Sequence, residues 1–466
     1  MKRLILILSS AFIIFNQVAC TTNYNQIIKD SERTFYRGNY KKAAKKLLPL
    51  VNKKSRDQLI LMMECGMMLH ASGDYENSNK VLLEAAKLSE TITTSIRKQA
   101  AALLLNETKT NYKGEDFERV LIHMYLGINF IMLQKVDEAR VEFKKVNDLL
   151  RDINVSVGKK YKQNIMAKYL TAITFEITAD IDNDEGDKEY AYIEYKQIHS
   201  LYPKLSLVYR DLQRLSKQLG DKEDYTKWVT KFGKRDNLPK DAGELIMFFQ
   251  AGRGAVKVSR GSLLKDRSMK NGITVSLNGM PLKAGVTIVG VLAALKIAKH
   301  PIPIFKKRSN KINHLVISVN EKDIGRTYEL ENIENTAIKN MEDDYQRMYM
   351  KVAAGIAVKA ATSVAAGIAA KKLAEQSKKL SGFAGLIGAL AGIGAGATLV
   401  SQIEPDLRCW HTLPSNLQLS RIFLPAGMYE LTIKYIDHSG RVEKTKNTMI
   451  EIKKGKKSFL NYRTLY

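Results

Sequence analysis

One cysteine near the start of the chain, Cys20, stands where its thiol could be acylated. A basic start and an uncharged, largely apolar run over residues 4–15 precede it, as in a secretory signal peptide. The small residue Ala19 comes directly before Cys20, as signal peptidase II requires, although Gln17 stands where its recognition motif usually has Leu. We predict that residues 1–19 are removed and that Cys20 becomes a lipid-modified N-terminus that anchors the chain in a membrane. Cleavage nearby by signal peptidase I, with Cys20 incidental, is the alternative.

The residue after Cys20 and the net charge bear on where the chain would lie. Thr21 is not acidic, so it lacks the signal that retains lipoproteins at the inner membrane. We therefore expect a bacterial cell-envelope protein at the outer membrane, facing the periplasm, with residues 21–26 as a short polar leash. Residues 20–466 keep 72 of the 74 basic residues and all 48 acidic ones, a net charge of +24. Such a charge suits contact with anionic lipid or glycan, whereas the export signal argues against nucleic acid.

A second group of polar residues has spacing that could support acid–base chemistry. On a helix, Glu115, Asp116, Arg119 and His123 would fall on one face. No nucleophile or ligand set accompanies them, because the chain contains no CxxC, HExxH, GxSxG or Walker motif. We predict no catalytic residues, no cofactor and no metal. The interpretation that we favour is structural: Phe117 and the neighbouring Glu-Arg pairs seat a loop on the helical region.

Two further features resemble sites but lack the required pattern. The acidic run over residues 180–187 fails the EF-hand register, because its glycine comes one place late and the twelfth position is Ala191. We expect a solvated loop there. Cys65 and Cys409 fall in different predicted domains, and we do not predict a disulfide between them.

These residues must be positioned by a helical repeat that occupies the first half of the chain. The step G-[DN]-Y-x-x-[AS] at Gly38 recurs 35 residues later at Gly73. It predicts the elbow of a tetratricopeptide repeat, in which glycine ends one helix and Asn39 or Asp74 caps the next. The second copy also has the small residue Gly66 on its first helix.

Later copies are less regular. A third elbow at Gln134 lacks glycine, and a fourth contains a long loop over residues 180–188. Residues 220–228 predict a last helix or partial repeat. We predict that residues 20–235 form a TPR-like α-solenoid with an insertion between its second and third copies, and that its groove holds a protein partner. A non-repeating helical bundle is the alternative.

The second half of the chain changes from helical to strand-like periodicity. We predict β segments over 240–330 and 404–466, separated by an Ala/Gly-rich helical hairpin over 331–403. The expected strands are 245–250, 273–278, 302–305, 314–320, 418–424, 428–435, 441–452 and 458–462, with hairpin turns at 425–427 and 438–440. The predicted fold class is therefore α+β and multidomain: an α-solenoid followed by a mostly β, sandwich-like domain.

The uncharged stretch over residues 380–403 allows two interpretations. It is long enough to cross a bilayer, and Gly388, Gly392 and Gly396 would line one helix face. Its many glycines make it less hydrophobic than a leucine-rich span. A hairpin that packs on itself, on the β-domain or in a homo-oligomer would have the same sequence.

Three segments together resemble an uncharacterised family of bacterial lipoproteins with tetratricopeptide repeats. They are residues 111–123, residues 243–245, and residues 406–414 with 419–427. The motif positions that carry the resemblance are Glu115, Asp116, Phe117, Glu118, Arg119, Asp406, Arg408, Trp410, Leu413 and Pro414. The resemblance implies a lipoprotein without a known biochemical role. From the residues themselves, we expect a buried Trp410 where helices meet the β-domain, and an Asp406–Arg408 ion pair at that junction.

The sequence thus favours a non-enzymatic envelope lipoprotein that acts as a protein-binding scaffold. Cell-envelope biogenesis, such as outer-membrane protein assembly or regulation of peptidoglycan synthesis, is the setting that we expect. Two alternatives stay open: a peptidoglycan or glycan hydrolase with an acidic site that no motif identifies, and a membrane-inserting oligomeric component that uses residues 380–403.

Overall fold

The computed structural model describes residues 24–98, 110–157, 164–182, 184–268, 271, 300–346, 348–349, 352, 369, 371–372, 375–376 and 404–466. Cys20, the strand predicted at 273–278 and the uncharged stretch at 380–403 lie outside this part of the chain. Within it, no helix is both long and apolar enough to cross a membrane.

Ten helices of the described N-terminal part follow one another in antiparallel pairs. Each helix packs against the next along the chain, which is the arrangement of TPR-like repeats. In chain order they are α1 Tyr24–Tyr36, α2 Tyr40–Val51, α3 Gln58–Ala71, α4 Tyr75–Lys98, α5 Asp116–Met132, α6 Val136–Val157, α7 Ile165–Asp182, α8 Glu185–Leu201, α9 Tyr209–Gln218 and α10 Lys222–Phe232. The predicted repeats are confirmed.

The elbows between paired helices use the left-handed backbone that the sequence predicts. Gly38 and Gly73 both have φ of 80°, and the third elbow obtains the same turn from Gln134 at φ 58°. The Asp74 carboxylate accepts a hydrogen bond from Asn77 N at 3.4 Å, whereas Asn39 makes no side-chain cap. The expected cap is therefore present in the second repeat and absent from the first.

The fourth elbow is tighter than predicted. α7 continues to Asp182 and α8 begins at Glu185, so most of the expected acidic loop is helical. The Asp184 carboxylate accepts from Gly186 N at 2.8 Å, and acidic residues in the first turn favour the positive end of the helix dipole. The acidic residues thus begin a helix instead of lengthening a loop.

The second half of the described chain forms a sandwich of two four-stranded sheets. The first sheet has strand order β10-β1-β7-β6, and the second has order β5-β4-β8-β9. The strands are β1 Ala242–Ala251, β2 Val256–Val258, β3 Ile304–Lys306, β4 Ile312–Val319, β5 Lys322–Arg326, β6 Tyr328–Glu331, β7 Asn416–Pro425, β8 Gly427–Asp437, β9 Val442–Ile452 and β10 Lys457–Arg463, with β2 and β3 forming a separate ribbon. The predicted α+β fold class is confirmed.

Strand β1 is mostly apolar because both of its faces are buried, and its polar residues Glu244 and Gln250 are buried as well. Leu245, Met247 and Phe249 face the second sheet in the sandwich core. Ile246 and Phe248 belong to the core that is continuous with the helices. Alternate residues of one strand therefore join two cores, and the sandwich is packed directly onto the repeats.

Two predictions about connections are wrong, at residues 425–427 and at residues 21–26. Residues 425–427 do not form a hairpin, because β7 pairs with β1 and β6 whereas β8 pairs with β4 and β9; they carry the chain from one sheet to the other. Strands β5 and β6 at 322–331 were not among the individual strands expected, but all except Glu331 fall within the β segment predicted over 240–330, and helix follows over 333–346. The polar leash predicted to extend to residue 26 is shorter, because α1 begins at Tyr24 and Tyr24 is buried.

Candidate functional site: the junction of the repeats and the sandwich

The first helix of each central pair is buried on all sides. Every residue of α3 from Leu59 to His70 is buried, and α5 and α7 are buried almost as completely. The second helices are amphipathic and keep an exposed outer face; α2 buries only Ala43, Ala44, Leu47 and Val51. The inner face of the solenoid is therefore covered by the chain itself, by the sheet β10-β1-β7-β6 and by the segment at 406–415.

Glu118 joins the two segments that carry the family resemblance. Its Oε1 accepts a hydrogen bond from Trp410 N at 2.7 Å. Its Oε2 accepts from Tyr112 OH at 2.5 Å and from Glu115 N at 2.9 Å, which completes a capping box at the start of α5. Burial, with Glu115 nearby, raises the pKa of Glu118 to about 7. Lys257 of β2 forms an ion pair with Glu115.

Arg408 ties the same segment to the second repeat. Its guanidinium pairs with Asp406 at 2.6 Å and with Asp57 at 2.9 Å, and donates to the carbonyl oxygens of Arg56 and Thr110. Burial alone would raise the pKa of Asp406, but its hydrogen bonds to Arg408 outweigh that effect and hold this pKa below its usual value. The ion pair expected at the junction is present.

Trp410 fills the junction, as its sequence context predicts. Its side chain is 1% exposed and packs against the Tyr125 ring with centroids 5.9 Å apart. The indole Nε1 has no hydrogen-bond partner within the described structure. Leu413 and Pro414 are also buried, and the Leu413 carbonyl accepts from Gly254 N at 2.8 Å.

Glu64 of α3 binds the residues that follow Trp410. Its carboxylate accepts from His411 N at 2.6 Å and from the hydroxyl of Thr412 at 2.5 Å. It also accepts from Tyr24 OH at 2.7 Å, which fixes the start of α1. Burial raises the pKa of Glu64. Tyr24 donates to the Cys409 carbonyl as well, so the first described residue lies against a segment 385 residues later.

Arg421 of β7 centres a second buried ionic cluster. Its guanidinium binds both oxygens of Glu176 at 2.7 and 3.0 Å, Asp211 at 2.9 Å, and Glu244. Arg214 and Lys457 also approach Glu176, so three cations meet three buried carboxylates, and Lys457 reaches the half-exposed Asp180 as well. Burial would raise the pKa of Glu176, but the surrounding cations hold it well below its usual value.

The structure brings some of the motif residues together and separates others. Glu115, Glu118 and Trp410 meet, and Asp406 and Arg408 lie beside them. Asp116 pairs instead with Arg119 at 2.7 Å, and Phe117 packs edge-on against Phe305. Cys20 lies outside the described residues. The sequence analysis did not identify Glu64, Glu176 or Arg421, although single charges in apolar runs such as LMMECGMM were a usable signal.

An open cleft lies beside the junction. It has a volume of about 820 Å³ and is walled by α5, α6, the start of α7, the end of α8 and residues 329–339. Phe117, Leu121, Leu150, Ile165 and Leu330 supply an apolar lining. Glu331 stands in the wall, bound by Thr336 and Asn164, and burial raises its pKa to about 7. The size and lining are those of a binding cleft.

The junction holds the two halves of the molecule together through buried carboxylates. The carboxylates of Glu64, Glu118 and Glu176 each accept hydrogen bonds from the facing half of the molecule. Among the described residues, no group of three metal-ligating side chains occurs, and Cys65 and Cys409 are both free thiols. What the arrangement does is lock the sandwich into the inner face of the repeats.

Comparisons with known proteins add little to this geometry. No protein-family model matches the chain, and no curated protein matches its sequence. Among solved structures, TPR-like repeats of a Podosopora anserina putative kinesin light chain align at 13% identity and a TM-score of 0.30, covering 44% of this chain and 92% of that one. MamA from Desulfovibrio magneticus RS-1 aligns at 14% identity and a TM-score of 0.29, covering 46% and 94%. Alignments at these scores indicate no function, and the TPR-like character of the chain rests on its own helix pairs and elbows.

Proposed function

We propose that the chain is a non-enzymatic scaffold lipoprotein of the cell envelope, anchored through Cys20 at the outer membrane and facing the periplasm. It would belong to the uncharacterised family of TPR-containing bacterial lipoproteins that its motif segments resemble. Its role would be to hold a partner protein in cell-envelope biogenesis.

The observation that carries the proposal is the covered inner face of the repeats. Free TPR-like grooves bind partners along their first helices. Here those helices are occupied by the sandwich through desolvated ionic contacts, such as Arg408–Asp57 and Arg421–Glu176. The sandwich thus fills the groove in which the sequence predicted a partner protein. We assign the partner site instead to a surface that the folded chain leaves open.

The 820 Å³ cleft is that surface. Its lining is apolar, while Lys204 and Lys339 stand at its margin with no carboxylate paired to them in the described structure. Asp116, Glu329 and Glu331 also line the cleft, so its distinguishing feature is the apolar wall, and an apolar segment of a partner protein fits it. The large area of apolar wall relative to polar groups favours binding over catalysis.

Site-specific photocrosslinking in intact envelopes tests this proposal. A photoreactive residue replaces Leu201, which lines the cleft and is 46% exposed, or Val141, which is 52% exposed on the outer face of α6. We expect one adduct of defined mass from position 201 and none from 141. Asn335→Glu at the cleft margin should abolish that adduct without changing the melting temperature. Equal adducts at both positions, or none at 201, would contradict the assignment of the cleft.

The anchor has its own test. Metabolic labelling with an alkyne analogue of palmitate should mark the parent chain and leave Cys20→Ala unlabelled. Label that persists in Cys20→Ala would overturn lipidation at this residue without bearing on the cleft.

A further inference from the structure

The positive charge of the solenoid is concentrated in its first helical pair. Residues 24–56 contain ten basic and two acidic residues, a net charge of +8. The next three pairs, over 58–98, 116–157 and 165–201, have four basic against five acidic residues, six against seven and three against eight, giving net charges of −1, −1 and −5. The fifth pair, over 209–232, has six basic against four acidic residues, a net charge of +2, so the first pair has the largest excess within the solenoid; residues 240–466 have a further net charge of +17.

Most of these charges are exposed and unpaired. Eight of the ten basic side chains are exposed; the half-buried Lys46 pairs with Asp30, and the half-buried Arg56 lies 3.8 Å from Asp57. None of the eight is paired with a carboxylate in the described part of the chain. Unpaired lysines on one helical hairpin create a positive potential that attracts an anionic surface.

The outer face of α2 also has the apolar element of an interfacial helix. Lys41, Lys45 and Leu48 lie at positions i, i+4 and i+7, and Lys42 borders them. Leu48 is 38% exposed, although a leucine at the edge of a core would ordinarily turn inward. An exposed leucine surrounded by lysines is typical of a helix that lies on a membrane surface.

The chain length before α1 brings this pair close to the proposed anchor. Tyr24 is fixed by its hydrogen bond to Glu64, and only residues 21–23 separate it from Cys20. Four residues span at most about 14 Å when fully extended, so a lipid on Cys20 must lie within that distance of Tyr24. Because α1 and α2 are antiparallel, the exposed Lys53 and Lys54 lie at the same end of the hairpin.

We propose that the first helical pair, residues 24–56, is a docking face for an anionic phospholipid bilayer. Lys41, Lys42, Lys45, Lys53 and Lys54 contact the head groups, and Leu48 enters the interface. This contact would hold the solenoid against the membrane. The inference rests on the proposed membrane location but not on the partner cleft.

The proposal is tested with a protein that consists of residues 20–466 and carries the substitution Cys20→Ser. This protein cannot be lipidated, so its binding to vesicles reports the contact without any contribution from the lipid anchor. Residues 1–19 are removed because their apolar run would itself enter vesicles, and every described residue is retained. We expect the protein to bind vesicles of phosphatidylethanolamine with 30% phosphatidylglycerol, and to bind vesicles of phosphatidylcholine at least tenfold more weakly. Binding should weaken as salt is raised.

A matched pair of variants locates the face. The triple substitution Lys41→Gln, Lys42→Gln, Lys45→Gln should lower the partition coefficient about a hundredfold, since each basic residue at an anionic surface contributes about fivefold. The control replaces three exposed lysines of the sandwich, Lys444, Lys453 and Lys456, by Gln and should retain binding within about threefold. Equal losses in the two triples would overturn the proposal, because net charge alone would then explain binding.

A fluorescence measurement reports contact directly. Both native tryptophans are buried, so Leu48→Trp supplies the one exposed indole in the described structure. We expect its emission to shift to the blue on adding the anionic vesicles and to be quenched by brominated lipid. Met449→Trp, at a site 60% exposed on β9, should show neither effect. If the emission of Leu48→Trp does not shift, or if both variants shift equally, another surface meets the bilayer and the proposal is wrong. Neither result would affect the crosslinking test of the cleft.

Discussion

Removing Arg421 should destabilise the protein more than any other single loss of charge at the junction. The Arg421 side chain is 2% exposed and binds three carboxylates. In Arg421→Met, Glu176 keeps Arg214 and Lys457, whereas Asp211 keeps one cation, Arg214 at 3.6 Å, and the hydrogen bond from the Tyr169 hydroxyl at 2.5 Å. Two cations would then face three buried carboxylates. Breaking a buried ion pair from one side costs about 3–5 kcal/mol, and we expect about 4 kcal/mol here.

Two companion variants separate the charge effect from lost packing. Arg421→Met combined with Glu244→Gln leaves two cations facing two buried carboxylates and should recover about 2 kcal/mol of the loss. Arg441→Met removes an arginine that pairs with Asp437 at the surface, where its side chain is 78% exposed. It should change the free energy of unfolding by less than about 0.5 kcal/mol.

Urea unfolding followed by the fluorescence of Trp228 and Trp410 provides the assay, at pH 8 and at pH 5. In the parent, cations lower the pKa of Glu176, so its stabilisation is present above its unfolded pKa and lost as pH falls through the folded one. In Arg421→Met the three carboxylates have lost a shared cation and are easier to protonate, so the deficit in the free energy of unfolding relative to the parent should shrink at pH 5. A loss below about 1 kcal/mol, or a double variant no more stable than the single one, would refute the desolvated cluster.

Three further predictions concern single positions. Burial lowers the pKa of His70 to about 4, and its Nε2 accepts a hydrogen bond from Gln250. Because the unfolded chain then binds a proton that the folded protein does not, the free energy of unfolding from urea titration should fall as pH drops from about 6.5 towards 4. His70→Gln should flatten that dependence. Trp410→Ala should cost about 3–5 kcal/mol in the same assay, whereas Trp410→Phe should cost clearly less, because the indole N–H makes no hydrogen bond within the described structure. Gly66→Ala should cost about 1–3 kcal/mol and lower the melting temperature in calorimetry, since its Cβ would lie 2.5 Å from Cδ2 of Leu82; an unchanged melting temperature would contradict the close approach of α3 and α4.

The predictions that succeeded depend on short stretches of sequence. The glycines at the first two elbows and the alternation in β4, β8 and β9 follow from local backbone geometry, which acts over a few residues. The prediction at residues 180–188 failed although it was local. Composition alone suggested a solvated loop. In the structure Asp184 caps α8, and Arg140 and Thr178 bind Asp187, so most of the acidic run lies in the two helices.

The candidate site could be predicted only in part. The sequence indicated a buried Trp410 and its neighbouring ion pair, because a tryptophan and paired charges before a Leu-Pro step suit a junction. It did not indicate that Glu118 would meet Trp410, 292 residues away, or that Glu64 would meet Thr412. The largely apolar α3 did contain a signal, since a helix that is hydrophobic around its whole circumference must be covered by other parts of the protein on every side.

By itself, the sequence determined the paired helices, their left-handed elbows, most of the strands and the positions of isolated charges in apolar runs. These features follow from periodicity and backbone preference, which neighbouring residues decide. Only the tertiary structure decided that the sandwich fills the repeat groove, that β7 and β8 belong to different sheets, and that Arg421 meets carboxylates from three other elements. Such contacts join residues hundreds of positions apart, and they form where desolvated charges find partners of opposite sign, which local sequence does not specify.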